Sequence, residues 1–149
     1  MGELIGTELP EALVERLQQV PDLVAMVASA GEAGPDAAPV SLVHVASPSR
    51  ILLGLARDRR TLANIIAGSR IAVSMTLVPD VAVTVLGAAR VLRDPMSAAA
   101  HVLAAEMTVD TVKDDRHPDT EITARLTCRW TEPARRGVDA ALLRELRSL

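Results

Sequence analysis

The sequence predicts a mainly β domain, a six-stranded antiparallel barrel with helices at its ends. Three observations lead there. Six apolar runs have the length and β-branched composition of strands, and several alternate with period two. Tight polar connectors such as "PSR" and "PD" join neighbouring runs, as hairpins require. The helical patterns are few and short, and they interrupt the strands rather than alternating with them.

In chain order, residues 1–20 are expected to form an N-terminal helix, because "LPEALVERLQQV" places Leu9, Leu13, Leu17 and Val20 on one face. Pro10 suits its first turn and Pro21 ends it. "DLVAMVAS" (Asp22–Ser29) reads as a strand and "AGEAGPDAAP" as a Gly/Pro-rich turn. Val40–Ser47 and Ile51–Ala56 form a hairpin. A short helix over Arg59–Ala67 buries Leu62, Ile65 and Ile66 and stops at Gly68. Arg70–Val78 and Val81–Leu92 are the fourth and fifth strands, with a bulge or bend expected at Gly87. Asp94 and Pro95 look like the N-cap and first residue of an alanine-rich helix reaching Val109. "DTVKDDRHPDT" is a polar loop. Glu121–Glu132 alternates as the sixth strand, with Ile122, Ala124, Leu126 and Cys128 on one side. Residues 135–149 form a C-terminal helix lined by Val138, Leu142, Leu146 and Leu149.

At 149 residues the chain suits a single domain, 1–149, with a sizeable core. A parallel doubly wound sheet is rejected: "VASAGEAG" lacks G-x-G-x-x-G spacing, and Pro35 and Pro39 follow where a helix should begin. There is no Phe or Tyr and a single Trp, Trp130, so stacking platforms for single-stranded nucleic acid are missing. A net charge of −3 likewise argues against a nucleic-acid partner. One cysteine, Cys128, allows no internal disulfide and fits a reducing compartment. The N-terminus lacks signal-peptide features, and the longest apolar stretch, Ile71–Ala89, is broken by Pro79 and Asp80. A cytoplasmic protein with no membrane partner is the expectation.

The chemistry concentrates in "LARDRRTLANI" (Leu55–Ile65). Arg57, Arg59 and Arg60 crowd the start of a helix, the positive end where cations are disfavoured by roughly 0.3–1 kcal/mol each. One reading leaves all of them in solvent, screened by Asp58. The other collects free N–H groups, guanidinium forks and the Thr61 hydroxyl around a phosphate. Thr61 and Asn64 lie three apart on the expected polar face of this helix, so Asn64 would reach further along the same ligand. No P-loop motif is present.

Taken with "PVSLVHVAS", the arginine stretch makes Pro39–Met75 resemble the flavin-binding split barrels, which include pyridoxamine 5′-phosphate oxidase-like proteins and flavin reductases. The shared pattern is a P-x-S strand, its hairpin partner, a basic loop and "RTLANI" leading into the next strand. The order of elements extends the resemblance over about Asp22–Trp130. It implies a six-stranded split β-barrel of FMN-binding type, a homodimer, and an oxidoreductase with FMN at the dimer interface. By position it implies Val40, Ser41 and Leu42 along the flavin ring, and Arg57, Arg59, Arg60 and Thr61 around the phosphate with Asn64 nearby. Many oxidase-like members carry lysine where this chain has Thr61, and the C-terminal motif of true pyridoxamine 5′-phosphate oxidases is not visible in "TCRWTEPARRG". An F420-dependent reductase and a non-catalytic flavin- or haem-related binding protein are the alternatives. Substrate and electron donor are not legible.

Other candidates are weaker. His44 shares a strand face with Val40 and Leu42 and reads as structural. His101 falls on the surface of the alanine-rich helix. Asp114, Asp115, His117, Asp119 and Glu121 lack the glycine and closing glutamate of a calcium loop, so no metal is expected. Cys128 has no identifiable base, and no nucleophile elbow occurs. Trp130 either packs in the core or flanks the ligand, with packing the expectation.

Overall fold

Residues 2–149 are described by the computed structural model. The elements are β1 (Glu3–Gly6), α1 (Glu11–Gln18), β2 (Ala25–Gly31), β3 (Gly34–Val40), β4 (Val43–Ser47), β5 (Arg50–Ala56), α2 (Arg60–Ile66), β6 (Arg70–Leu77), β7 (Val81–Arg93), β8 (Val102–Asp114) and α3 (Pro133–Arg147). All strand pairs are antiparallel, in the order β3-β2-β6-β7-β8-β5-β4, with β1 added against β8. The sheet thus has eight strands where six were expected, and its pairing path stays open instead of closing into a barrel.

Alternation drives the central strands. In β6 and the first half of β7 every second residue is buried, and Ile71, Val73, Met75, Val81, Val83 and Val85 enter the main core with Leu9 and Leu17. By contrast, β5 is buried continuously from Ile51 to Leu55. Its second face is covered by α3, where Leu142 and Leu146 close a separate apolar cluster with Leu42, Leu52, Met96 and Val102. A strand covered on both sides needs an unbroken apolar run, and "ILLGL" supplies one. Gly87 makes the expected bulge: the β7–β8 register shifts there, and a Cβ would lie 1.8 Å from the Thr108 carbonyl oxygen.

Several expectations are corrected. The expected helix over Pro95–Val109 is a turn followed by β8, which pairs with β7 on one side and β5 on the other. Alanine's helix preference amounts to only tenths of a kcal/mol per residue, and two flanking strands outweigh it. Ala104 and Ala105 are fully buried within that sheet. The predicted polar loop starting at Asp110 begins as the last five residues of β8, through Asp114.

The expected sixth strand, Glu121–Glu132, forms no ladder, and its supposed inner face is open, with Leu126 50% exposed. An N–H from Ile122 to the Pro79 carbonyl and an Arg125–Asp22 ion pair tether it. The Gly/Pro-rich stretch is the edge strand β3, where Pro35 and Pro39 cost no ladder bond on the open side. The N-terminal 1–20 region splits into β1 and a short α1. Ile66 is 67% exposed, whereas Leu62 and Ile65 are buried as expected. Among the described residues, no helix is long and apolar enough to cross a membrane.

Candidate functional site

The site is built where two strands stop. β3 ends at Val40, and the chain bends through Ser41 and Leu42 before β4 starts, splitting the single strand expected over Val40–Ser47. The bend packs against β5 through Gly54, whose N–H donates to the Leu42 carbonyl at 2.8 Å. A Cβ on Gly54 would sit 2.8 Å from the Leu42 Cβ, so glycine is what permits this approach. β5 in turn ends at Ala56, and Arg59 sits in extended conformation as the residue before α2.

These pieces bound one side of a cavity of about 170 Å3, lined by Val40, Ser41, Leu42, Gly54, Arg59 and Thr61. Its other side comes from the C-terminal region, with Trp130, Arg135, Val138, Asp139 and Leu142, and from His101. A second cavity of about 560 Å3 opens beside it and shares Pro39, Ser41, Arg59, Trp130 and Asp139.

The eight residues singled out from the sequence separate into groups. Val40, Ser41, Leu42, Arg59 and Thr61 meet at the inner cavity. Arg57 points elsewhere: its guanidinium is ion-paired with Asp94 and donates to the Ala100 carbonyl at 3.2 Å. Arg60 is exposed and lies outside both cavities. Thr61 and Asn64, expected on a polar face, are buried at 1% and 7% exposure. Asn64 donates from Nδ2 to Ser29 Oγ at 2.9 Å, and Gly31 lies so close that a Cβ there would fall 2.2 Å from Asn64 Oδ1. Asn64 therefore ties α2 to β2.

Pairing and position together distinguish the three arginines. Among the described residues, Arg59 and Arg60 make no ion pair and no side-chain hydrogen bond, while Arg57, like Arg50, Arg70, Arg90, Arg93 and Arg125, has a carboxylate partner; of the two left free, Arg59 alone lines the cavity. An unpaired guanidinium at the rim of a cavity that also holds Arg135, the Ser41 and Thr61 hydroxyls and a single carboxylate, Asp139, is suited to an anionic ligand. Thr61 Oγ1 donates to Asp36 at 3.4 Å, a long bond that leaves the hydroxyl available.

Sequence reasoning missed the C-terminal wall. Trp130 is 44% exposed, not core, and Arg135 lies over its ring at 5.4 Å. Being the sole aromatic residue was its only signal. His101 also lines the cavity, from a turn instead of a helix surface. His44 is half-buried on β4, outside both cavities, and burial, with Arg147 and Arg50 nearby, holds its pKa below the usual histidine value. Among the described residues no cluster of His, Cys, Asp or Glu could hold a metal ion.

The architecture matches solved structures. A candidate pyridoxamine 5′-phosphate oxidase of Lactobacillus delbrueckii superimposes with a TM-score of 0.60 at 24% identity, over 75% of this chain and 98% of that one. The fold is that of the pyridoxamine 5′-phosphate oxidase-like split barrels. An FAD and heme binding protein of Mycobacterium smegmatis shares this split barrel (TM-score 0.55, 16% identity, 83% of this chain and 86% of that one). So does a flavocytochrome of Azotobacter vinelandii (TM-score 0.55, 12% identity, 83% of each chain). No family model and no curated protein matches the sequence. In this split barrel, the inner cavity lies between the sheet's open edge at Val40–Leu42 and a C-terminal helix that is docked by its own apolar cluster.

Proposed function

We propose that this split barrel binds a flavin, FMN, and acts as a flavin-dependent oxidoreductase. The observation that carries the reading is Arg59, an unpaired guanidinium on the same cavity as the Thr61 hydroxyl and the Val40–Leu42 bend. The flavin- and heme-binding names of several structural neighbours support it.

In this reading Arg59 neutralises the phosphate, with Arg60 adding long-range positive potential from the adjacent position and Thr61 turning its one hydroxyl proton from the long bond with Asp36 to the phosphate. Val40, Ser41 and Leu42 lie along the ring, where backbone N–H groups stabilise negative charge on its reduced form. Leu42, Leu55, Val102 and Leu142 keep water from that wall. Arg57 and Asn64 serve indirectly: the first anchors the loop before α2 to Asp94, the second anchors α2 to Ser29. FMN when bound supplies the hydride and electron transfer, which explains why no acid–base pair is needed in the chain. A second copy of the chain completes the site by bordering it at the exposed apolar residues Leu126, Trp130 and Val138, with the space between them and Arg59 left open to ligand.

The test begins with the absorption spectrum of the freshly purified protein and mass identification of any released chromophore. Reconstitution with FMN, then turnover with NADH or NADPH, follows. The expected result is one flavin per chain and oxidation of a reduced nicotinamide. A protein that takes up neither FMN nor FAD overturns the reading. Stoichiometric flavin without turnover leaves a flavin carrier or sensor in place of an enzyme.

A further inference from the structure

The larger cavity asks for a ligand of its own. About 560 Å3 is within the range of small-molecule sites, which run to several hundred Å3. It meets the inner cavity at a shared wall of Ser41, Arg59, Trp130 and Asp139. The rest of its lining does not touch the inner cavity: the exposed Pro21 after α1, Leu126, Cys128 and Arg129 from the extended segment, and Arg136, Ala140 and Leu143 from α3.

Its chemistry is two-sided. Leu126, Leu143, Pro39 and the Trp130 ring make apolar walls that suit a flat hydrocarbon body. Arg59, Arg129 and Arg136 bring three cations against the single carboxylate of Asp139. Arg136 uses its Nε–H on the Trp130 carbonyl, at 2.8 Å, and so fixes the loop. Arg129 makes no ion pair or side-chain hydrogen bond among the described residues, as Arg59 makes none. With Arg59 assigned to the flavin phosphate, Arg129 is the cation left to face a second anion.

We infer that this outer cavity is the binding site of the second substrate, an organic anion with a planar apolar body, held by Arg129 and packed against Trp130 and Leu143. The inference rests on the flavin reading for its role, because a hydride partner must border the flavin, and this cavity borders the inner one. The ability to bind such an anion does not depend on that reading.

The probe is anilinonaphthalenesulfonate, an aromatic anion, set against its uncharged analogue phenylnaphthylamine. Trp130 is the sole tryptophan and there is no tyrosine, so energy transfer from protein to probe reports on this wall alone. The sulfonate is expected to bind and quench Trp130, and Arg129→Gln to weaken it about five- to tenfold while leaving phenylnaphthylamine unchanged. Leu143→Asp should weaken both probes. Arg129 is exposed and unpartnered, so its replacement leaves the fold and FMN affinity as they are.

Calorimetric titration of the sulfonate is then repeated with the protein saturated in FMN. Simultaneous binding supports two adjoining sites. Mutual displacement overturns the inference by making both cavities one flavin site, as does an Arg129→Gln protein that binds both probes like the wild type. Sulfonate binding with no FMN binding removes the flavin reading and the substrate role, and leaves an anion-binding groove. FMN binding with no sulfonate binding removes the groove alone.

Discussion

At the scale of single residues, a guanidinium's worth depends on whether the fold has already given it a partner. Arg59 has none, so its hydrogen bond to a phosphate is gained in full, about 1.5–3 kcal/mol. Arg59→Ala should weaken FMN about ten- to a hundredfold and leave riboflavin, which lacks the phosphate, nearly unaffected. Arg57→Ala breaks an exposed pair with Asp94, of a kind worth about 0.2–1 kcal/mol, and should shift FMN affinity far less. Parallel titrations of both ligands into both variants decide this; equal losses in the two variants would remove the distinction. Asn64 makes a different case. It is buried and bonded to Ser29, so Asn64→Ala leaves a buried hydroxyl without its donor and should cost about 1–3 kcal/mol in denaturant unfolding. Its burial was hidden in the sequence because Asn at the end of a two-turn helix usually faces water.

At the scale of elements, α3 is the piece whose attachment controls the cavity. Leu142 and Leu146, four apart on one face, enter the second apolar cluster beside Leu42. Glu145 between them accepts N–H bonds from Ser97 at 2.7 Å and Ala98 at 2.9 Å, and pairs with Arg93. Those bonds, the Ser97 N–H foremost, hold its carboxyl below the usual glutamate pKa. The sign follows from linkage. A carboxyl with a lowered folded pKa stabilises fully above its unfolded value, about 4.3, and loses that stabilisation as pH falls through the folded value. Protection of the α3 amides, taken relative to the unstructured exchange rate at the same pH, should therefore fall selectively on acidification below about pH 4. Glu145→Gln should show the reduced protection already at neutral pH and lose its acid dependence. Exchange in α3 that tracks β7 at every pH would show that the helix has no separate attachment.

At the scale of the whole molecule, the open sheet and its apolar margin predict self-association. Leu126 and Trp130, on a segment that finds no strand partner within its own chain, and Val138 on α3 lie exposed next to the proposed site. Sedimentation equilibrium at micromolar concentration should show a dimer, and Trp130→Glu should shift it toward monomer with a parallel loss of flavin. A wild-type monomer that holds stoichiometric flavin would remove the second copy from the site.

Local pattern by itself determined much of this protein. Period-two burial in β6 and β7, the Gly87 bulge, the stop at Gly68 and the apolar spacing of the C-terminal helix are set by residues within a few positions of one another. So is the concentration of arginines before α2. The tertiary structure alone decided the rest. Val102–Val109 became strand because β5 and β7 offer hydrogen bonds on both sides, a gain that exceeds alanine's small helical preference. Glu121–Glu132 alternates like a strand and is none, because no sheet edge receives it. Which arginines stay free was settled by carboxylates far along the chain: among the described residues Asp94 reaches Arg57, and none reaches Arg59 or Arg60. Periodicity is a short-range property and can be read directly; pairing is a long-range one, and only the folded chain brings the partners together.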